Sequence, residues 1–340
     1  MKPSQPKATD EPLSVQTIRF EPYEQQVLTE IARDTVHQPF FQKVVSMAGK
    51  PASKLFESAK TSRVRAIQKT ALAFQDAILK AQLQTIRLAR NFDSGDTIRD
   101  AAQRLGMEVT GTDDWQKLPL QQKDALADSL VRNNTLLIGL EGALLGLSTS
   151  LAAYIPFAQV SLPGLITTDI LLSMTLLARH TLQVAVVYGF PGSQPENIPH
   201  ILAAMAPERE FTDEGYLASK TLVVNAIRES AQFLAEVSGR ELSIRLIQKR
   251  APQLIKLMQY VAERIGLVLT EKQLSMGMPI AGAFLNGGIN VAFQQLGHRT
   301  AKNYFRKMLL VQKYGTDAVQ LYLNHKITEF LSETHDSVHP

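Results

Sequence analysis

The sequence has 340 residues, of which 45% are apolar and 20% charged, and it contains no cysteine. This length and composition allow a large buried core and exclude a wholly disordered chain, while the lack of cysteine excludes disulfides, thiolate metal sites and cysteine nucleophiles. The formal net charge of +4 and the pI of about 9.1 permit an acidic partner. The polar opening MKPSQPKATDEPLS carries no secretory signal, so a cytoplasmic location is expected.

Helical periodicity dominates the first part of the chain. Apolar residues recur about once per helical turn in four segments, which predicts helices at residues 23–47, 62–92, 97–106 and 120–134. Asp96 or Thr97 is the predicted cap of the short third helix, because a side-chain oxygen there satisfies free amides of the first turn.

The second part of the chain has the same character. Helices are predicted at residues 213–238, 240–249, 252–266 and 292–324. Alternating apolar and polar strands are hard to find, and no solenoid repeat is present. These patterns together predict an all-α fold.

An apolar block of some fifty residues begins at Glu141 and ends at Tyr188-Gly189. A membrane-spanning helix needs about 20 mostly apolar residues, and each buried charge costs a few kcal/mol on insertion scales. Residues 136–155 contain Glu141, and residues 165–187 contain further ionisable groups at Asp169, Arg179 and His180. The block therefore favours a central glycine-rich apolar helical hairpin in a multi-helix bundle, with entry into lipid as the alternative.

Two segments carry an ordered series of motifs with small, apolar and amide side chains. The first segment contains Glu141-Gly142-Ala143, Gly146, Ile155-Pro156 and Tyr188-Gly189. The second contains Pro279-Ile280-Ala281-Gly282-Ala283, Asn286-Gly287-Gly288-Ile289-Asn290, Arg299-Thr300-Ala301-Lys302, Phe305 and Arg306. This series resembles the EcsC family of bacterial proteins. One departure is that Phe190-Pro191 stands where the family commonly has an acidic residue, so this chain lacks that acid directly after Tyr188-Gly189.

The resemblance implies one EcsC-like helical domain over residues 21–330, with amphipathic helices at 21–117 and the family core at 118–330. Residues 1–20 are expected to be a disordered segment and 331–340 a flexible tail. The family takes its name from a protein encoded beside an ABC transporter, and its members are regarded as membrane-associated accessory proteins without an established chemistry. The resemblance therefore implies a fold and a membrane-associated setting rather than a particular chemical reaction.

Three residues of the apolar block are candidates for catalysis. Asp169 and His180 fall close to one helix face, where a carboxylate orients an imidazole for acid–base work. The alternative is that Thr167, Thr168 or Asp169 caps the helix while Arg179 and His180 form a polar edge. Glu141 is either a general acid or, more in keeping with a buried carboxylate, the partner of an arginine.

Asn286 and Asn290 are candidates for ligand binding, although their spacing of four residues also fits the small-residue face of a packed helix. The sequence has no phosphate-binding loop, no H-E-x-x-H, no G-x-S-x-G and no nucleic-acid-binding module. Neither a metal nor a cofactor is expected. A small-molecule substrate is not indicated.

Basic residues cluster in two helical segments and predict contact with an anionic surface. The first cluster lies on one side of the last long helix and contains His298, Arg299, Lys302, Arg306, Lys307 and Lys313. The second contains Arg240, Arg245, Lys249, Arg250 and Lys256. Each such residue contributes on the order of 1 kcal/mol near anionic lipid, although such a stripe is also typical of an ordinary solvated face.

These features favour a non-enzymatic, membrane-peripheral accessory or regulatory protein, with a link to transport implied by the resemblance. Its expected partner is an anionic membrane surface or a membrane protein, at the inner face of the membrane, with Arg299, Lys302, Arg306 and Lys307 as the contact residues. Two other classes stay open. One is a hydrolase with an Asp, His and Glu centre, and the other is an effector that perturbs membranes.

Overall fold

A computed structural model describes residues 19–36, 65–109, 112–140, 162–206, 213–237, 241–275 and 287–336. These ranges contain α-helices and one short 3-10 helix, and they contain no strand. The predicted all-α fold is confirmed. Residues 141–161 and 276–286 lie outside the described ranges, so the glycine-rich hairpin stays a prediction.

The described ranges hold twelve α-helices. They are α1 (Pro22–Val36), α2 (Arg65–Arg90), α3 (Gly95–Arg104), α4 (Thr112–Lys117), α5 (Leu120–Leu140), α6 (Leu162–Val187), α7 (Ile198–Ala204), α8 (Asp213–Glu236), α9 (Ile244–Arg250), α10 (Pro252–Ser275), α11 (Gly287–Tyr314) and α12 (Thr316–Asp336). The 3-10 helix, Pro195–Asn197, leads directly into α7. The last helix continues beyond residue 330, where the helical domain was expected to end.

The chain divides into two compact units, and the division falls within α11. The terminal unit comprises Met1–His37 and Arg306–Pro340. The main unit comprises Gln38–Phe305.

In the terminal unit, α1 packs against α12 and a buried carboxylate fixes the start of α1. Glu24 accepts the backbone N–H of Glu21 at 3.0 Å, which satisfies an amide that the helix leaves free. The same carboxylate accepts from Lys313 at 2.8 Å and from the Tyr314 hydroxyl at 2.5 Å. Burial raises the pKa of Glu24, but the hydrogen bonds from Lys313 and Tyr314 outweigh it and hold the pKa below its usual value.

In the main unit, α6 packs along α2, α5 packs on α6, and α10 contacts both α2 and α8. The side chains of α2 also bond carbonyls of later elements. Gln82 donates to the Met258 carbonyl at 2.8 Å, and Arg87 donates to the Leu242 carbonyl at 2.6 Å. A long helix near the start of the unit therefore fixes segments that follow it by more than 150 residues.

The segment 292–324, predicted as one helix, is two helices. Gly315 separates α11 from α12 and has a φ of +85°, in the left-handed region that favours glycine. Its N–H bonds the Val311 carbonyl at 2.9 Å, which closes α11 with a left-handed C-terminal turn. Apolar periodicity continues across the break, so the sequence pattern did not reveal it.

Two predicted caps are wrong. Ser94 is the N-cap of α3, and Asp93 accepts the Gly95 N–H at 2.9 Å, so Asp96 lies within the first helical turn. In α6 the helix already includes Leu162, which places residues 167–169 in the helix interior rather than at a cap. In both places the helix begins a few residues earlier than the side-chain chemistry indicated.

The apolar segment 165–187 lies within α6. Among the helices that the structure describes, none has both the length and the apolar character needed to cross a membrane. Most of the other candidate span, residues 136–155, lies outside the described ranges.

We expect Gly315→Ala to lower the free energy of unfolding by about 1 kcal/mol, because a Cβ strains the left-handed backbone. A Cβ at this position would have open space around it, so a steric clash contributes nothing. Gly315→Asn is the control, since asparagine tolerates this conformation better than alanine. Urea unfolding of the three proteins tests the prediction, which fails if the alanine variant is as stable as the wild type.

Candidate functional site

Four polar side chains from three helices form a continuous hydrogen-bonded series, here called the histidine chain. His180 of α6 contacts His298 of α11, with 2.8 Å between Nε2 and Nδ1. His298 Nε2 lies 2.9 Å from Asp128 Oδ1 of α5. Lys302, one turn after His298, donates to both Asp128 carboxylate oxygens at 2.7 Å.

The histidine chain runs from the interior to the surface. His180 is 4% exposed, whereas the side chain of Asp128 is 54% exposed. Burial, together with the neighbouring His298, lowers the pKa of His180 to about 3. Burial raises the pKa of Asp128, but hydrogen bonds from His298 and Lys302 outweigh it and lower this pKa to about 2. At neutral pH the histidine chain therefore has a neutral imidazole, His180, at its buried end and an ionised carboxylate, Asp128, at its exposed end.

A close helix crossing brings the two histidines together. A Cβ built on Gly297 would lie 2.1 Å from Leu177 Cδ1, so a larger residue at this position would require the Leu177 side chain to move. Leu177 is one helical turn before His180, and Gly297 directly precedes His298. The packing of apolar atoms thus sets the distance between the polar ones.

Both ring nitrogens of His298 are engaged within the protein. His298 directs both ring nitrogens at protein partners, which leaves no ring nitrogen for an ion. Within the part of the chain that the structure describes, no three His, Asp or Glu side chains are grouped to hold a metal.

A second polar site joins the ends of two helices to α5. Lys123 is 3% exposed and donates to the carbonyls of Trp115 at 2.6 Å and Val187 at 3.4 Å. These carbonyls belong to the last turns of α4 and α6, where a cation is favourable. Burial lowers the pKa of Lys123 to about 8.

The Tyr188-Gly189 motif ends α6 through its backbone. Gly189 has a φ of +91°, its N–H bonds Val186, and the Phe190 N–H bonds Ala185 at 2.8 Å. This is the pattern of a Schellman C-terminus. Tyr188 is buried and donates its hydroxyl to Asp124 of α5. Phe190 stacks on Phe305, with ring centroids 5.4 Å apart. In this chain the residue after Tyr-Gly is thus an apolar packing residue.

Only one of the three catalytic candidates has a described side chain. Glu141 lies outside the described residues, and nothing is described of the Asp169 side chain. His180 is buried while Arg179 is exposed, so the two do not form a polar edge and that interpretation is wrong. Sequence reasoning missed Asp128 altogether and read His298 only as a basic residue.

The candidates for ligand and membrane contact have different surroundings. Asn286 lies outside the described residues, and of Asn290 only the backbone in α11 is described. The side chain of Lys302 is 13% exposed and paired with Asp128, and that of Arg306 is 6% exposed and lies 3.2 Å from Glu30. Arg299 and Lys307 also have interaction partners. The lipid-binding role of these residues stays a prediction, but Lys302 and Arg306 are largely neutralised within the protein.

The described side chains of the second basic cluster are more exposed to solvent than those of Lys302 and Arg306. Arg245, Lys249, Arg250 and Lys256 are exposed and are called here the α9 basic surface. Arg250 pairs with Glu236 at 2.8 Å. Within the described ranges the other three residues make no ion pair. Arg240, the fifth predicted member, lies outside these ranges.

No protein-family model, curated protein or solved structure matches this chain. The resemblance to the EcsC family stays a prediction that rests on its motifs. The function is therefore inferred from the surfaces and side-chain clusters of the chain itself.

We expect Gly297→Ala to lower the free energy of unfolding by about 1–3 kcal/mol, as overpacking does in other cores. Leu177 is 1% exposed, so it has little room to move away from the added methyl group. In a Leu177→Ala background the added methyl group has room, so Gly297→Ala should lower the free energy of unfolding by less there than it does in the wild type. Urea unfolding of the set measures this coupling, and a purely additive result would contradict the close crossing.

Lys123 should make stability rise with pH. Its folded pKa of about 8 lies below the ordinary lysine value of 10.5 expected in the unfolded chain, so between these values the unfolded protein binds a proton that the folded protein lacks. The free energy of unfolding then increases with pH, by at most about 1.4 kcal/mol per pH unit. Urea unfolding at pH 7 to 10 should show the wild type gaining stability relative to Lys123→Met. Lys117→Met, at an exposed lysine, is the control and should follow the wild type.

Proposed function

We propose that this protein is a non-enzymatic, peripheral membrane protein that binds anionic lipid through the α9 basic surface. In this role it acts as an accessory or regulatory component at the inner face of the membrane. The observation that carries the proposal is the exposure of Arg245, Lys249 and Lys256 on adjoining helices, without an ion pair among the described residues.

The charge pattern around α9 supports this surface. Residues 242–262 contain four Lys or Arg residues and no Asp or Glu. Their buried neighbours, Leu242, Ile247 and Leu254, hold the segment on the main unit. The basic residues therefore extend from the side opposite to the apolar contacts, and their positive potential is directed to solvent.

The surface is also held in place by hydrogen bonds. The Ser243 hydroxyl caps α9 by accepting the Leu246 N–H at 3.2 Å. Just before this cap, Arg87 donates to the Leu242 carbonyl and Arg90 to the Val237 carbonyl. An ordered cationic surface loses less conformational entropy on binding than a flexible one, which favours association.

The α9 basic surface suits lipid contact better than the residues of α11. Lys302 and Arg306 would have to leave their carboxylate partners before they contact a phosphate group. Breaking these pairs costs free energy that the lipid contact must offset. Exposed residues such as Arg245 and Lys249 have no such cost.

Liposome co-sedimentation of the full chain tests the proposal. Vesicles of phosphatidylglycerol and phosphatidylcholine should bind the wild type, pure phosphatidylcholine should not, and added salt should weaken binding. The double variant Arg245→Glu/Lys249→Glu removes two attractive contributions of about 1 kcal/mol each and adds two repelled carboxylates, so its partition should fall at least about thirty-fold. Circular dichroism verifies that the variants are folded.

A matched control is Lys117→Glu/Arg179→Glu, which reverses two other exposed cations. Each reversal removes two charge units, so either pair changes the formal net charge from +4 to 0. Equal losses in both double variants would show that net charge alone drives binding and would overturn the α9 assignment. If the wild-type protein stays in the supernatant with vesicles that contain phosphatidylglycerol, the lipid proposal is overturned. A membrane protein is then the partner to test.

A further inference from the structure

We propose that α1 is an intramolecular cover for a second anionic-lipid surface, here called the α11 end surface, whose contact residues are Arg306 and Lys313. Carboxylates in and next to α1 bind these two cations in place of lipid phosphate groups, and release of α1 opens the surface. The α11 end surface shares its anionic partner with the α9 basic surface but none of its residues, so either assignment can fail without the other.

Opposite charges meet where α1 lies in the terminal unit. Residues 21–36 contain four acidic residues and one basic residue, whereas residues 306–313 contain three basic residues and no acidic one. The contacts between them join Lys313 to Glu21 at 2.5 Å, Lys313 to Glu24 at 2.8 Å and Arg306 to Glu30 at 3.2 Å. Three carboxylates thus hold the positions at which lipid phosphate oxygens would bind an uncovered basic helix.

An aromatic contact anchors the chain just before α1, beside the same cations. The Phe20 ring is buried, and its centroid lies 4.6 Å from that of Tyr314 and 5.2 Å from that of Tyr322. The Lys313 ammonium lies 5.1 Å from the centroid of the Tyr314 ring. When α1 leaves, two tyrosine rings lose a neighbour beside a lysine, and this combination of side chains is typical of helices at a membrane interface.

Water already reaches the charge contacts of Lys313 that lipid would have to replace. The Lys313 side chain is 47% exposed, and that of its partner Glu21 is 67% exposed. Ion pairs this open contribute little to stability. A lipid phosphate can therefore replace this carboxylate at Lys313 with little loss of free energy.

Apolar packing keeps the α11 end surface closed in the absence of a membrane. Val27, Leu28 and Ile31 of α1 are buried, so release of α1 exposes apolar surface to water. A membrane offsets this cost when the freed cations contact phosphate groups and the tyrosine rings enter the interface. Lipid therefore competes with α1 for one surface.

Phe20→Ala tests the cover without changing any charge. Loss of the ring should release α1 more often, so the backbone amides of residues 22–36 should exchange hydrogen faster in the full chain. Vesicles of phosphatidylglycerol and phosphatidylcholine should then bind this variant at least about five-fold more tightly than the wild type, which is the factor that one added basic contact gives. Unchanged exchange in α6 verifies that the main unit is folded.

Glu24→Gln/Glu30→Gln weakens the charge contacts instead and should also speed exchange in α1 and strengthen vesicle binding. The matched control is Asp76→Asn/Asp96→Asn, which removes two exposed ion pairs that each lie within one helix. Either pair removes two acidic groups, so both change the formal net charge from +4 to +6. Equal gains in binding would show that net charge alone is responsible and would overturn the cover.

Further substitutions in the Phe20→Ala protein locate the lipid contact. Adding Arg306→Gln/Lys313→Gln should abolish the gain in binding. Adding Lys117→Gln/Arg179→Gln, which neutralises two exposed cations of the main unit, should retain most of it. A gain that survives the loss of Arg306 and Lys313 would overturn the assignment of the surface.

The wild type should show the reciprocal effect, because binding that favours release of α1 is itself favoured by that release. Saturation with phosphatidylglycerol vesicles should speed exchange in residues 22–36 by at least the factor gained in binding, relative to pure phosphatidylcholine vesicles. An unchanged exchange rate there would overturn the competition between lipid and α1.

The exchange and binding measurements together decide the outcome. Unchanged exchange in both Phe20→Ala and Glu24→Gln/Glu30→Gln would show that these contacts do not hold α1, and faster exchange without tighter binding would show that α1 covers no lipid surface. Either result overturns the proposal. If the wild type does not bind vesicles but Phe20→Ala does, the α9 basic surface fails and the cover stands.

Discussion

The close approach of α6 and α11 at Leu177 and Gly297 is the contact on which the polar organisation of the main unit depends. It allows an imidazole from each helix to come within 2.8 Å in a region where His180 is almost completely buried. Without that approach, the buried His180 ring would lose its hydrogen bond to His298, and losing a buried hydrogen bond costs free energy. Apolar packing and polar pairing are therefore parts of the same contact.

Several buried or half-buried polar groups elsewhere in the main unit bond backbone carbonyls or each other. Lys123 caps the ends of two helices, Arg87 and Gln82 of α2 reach carbonyls of distant segments, and Tyr188 bonds Asp124. Such contacts satisfy helix ends and order the connections between helices. The exposed cations of α9 have no equivalent partner in the described ranges. This contrast between bonded interior cations and open surface cations is the reason for assigning binding to α9.

The terminal unit shows the same principle with carboxylates. Glu24 accepts a backbone N–H, an ammonium and a phenol, and Arg306 pairs with Glu30. Sequence reasoning placed Arg306 on a membrane-facing stripe because helical spacing puts it beside Lys302. Spacing assigns a residue to a face of its helix but contains no information on which acid from another segment covers that face.

The sequence by itself determined the all-α class and most helix positions, including the segments that became α2 and α8. Helical periodicity is local, because hydrophobic spacing and backbone hydrogen bonds involve residues a few positions apart. Only the tertiary structure decided the break at Gly315, the burial of His180 and the meeting of His180, His298 and Asp128. These residues are 118 and 170 positions apart in consecutive pairs, and their contact depends on how three helices cross. A single sequence shows which side chains are present but not how the helices cross. It therefore identified the α9 cations, which cluster along the chain, and did not reveal the histidine chain.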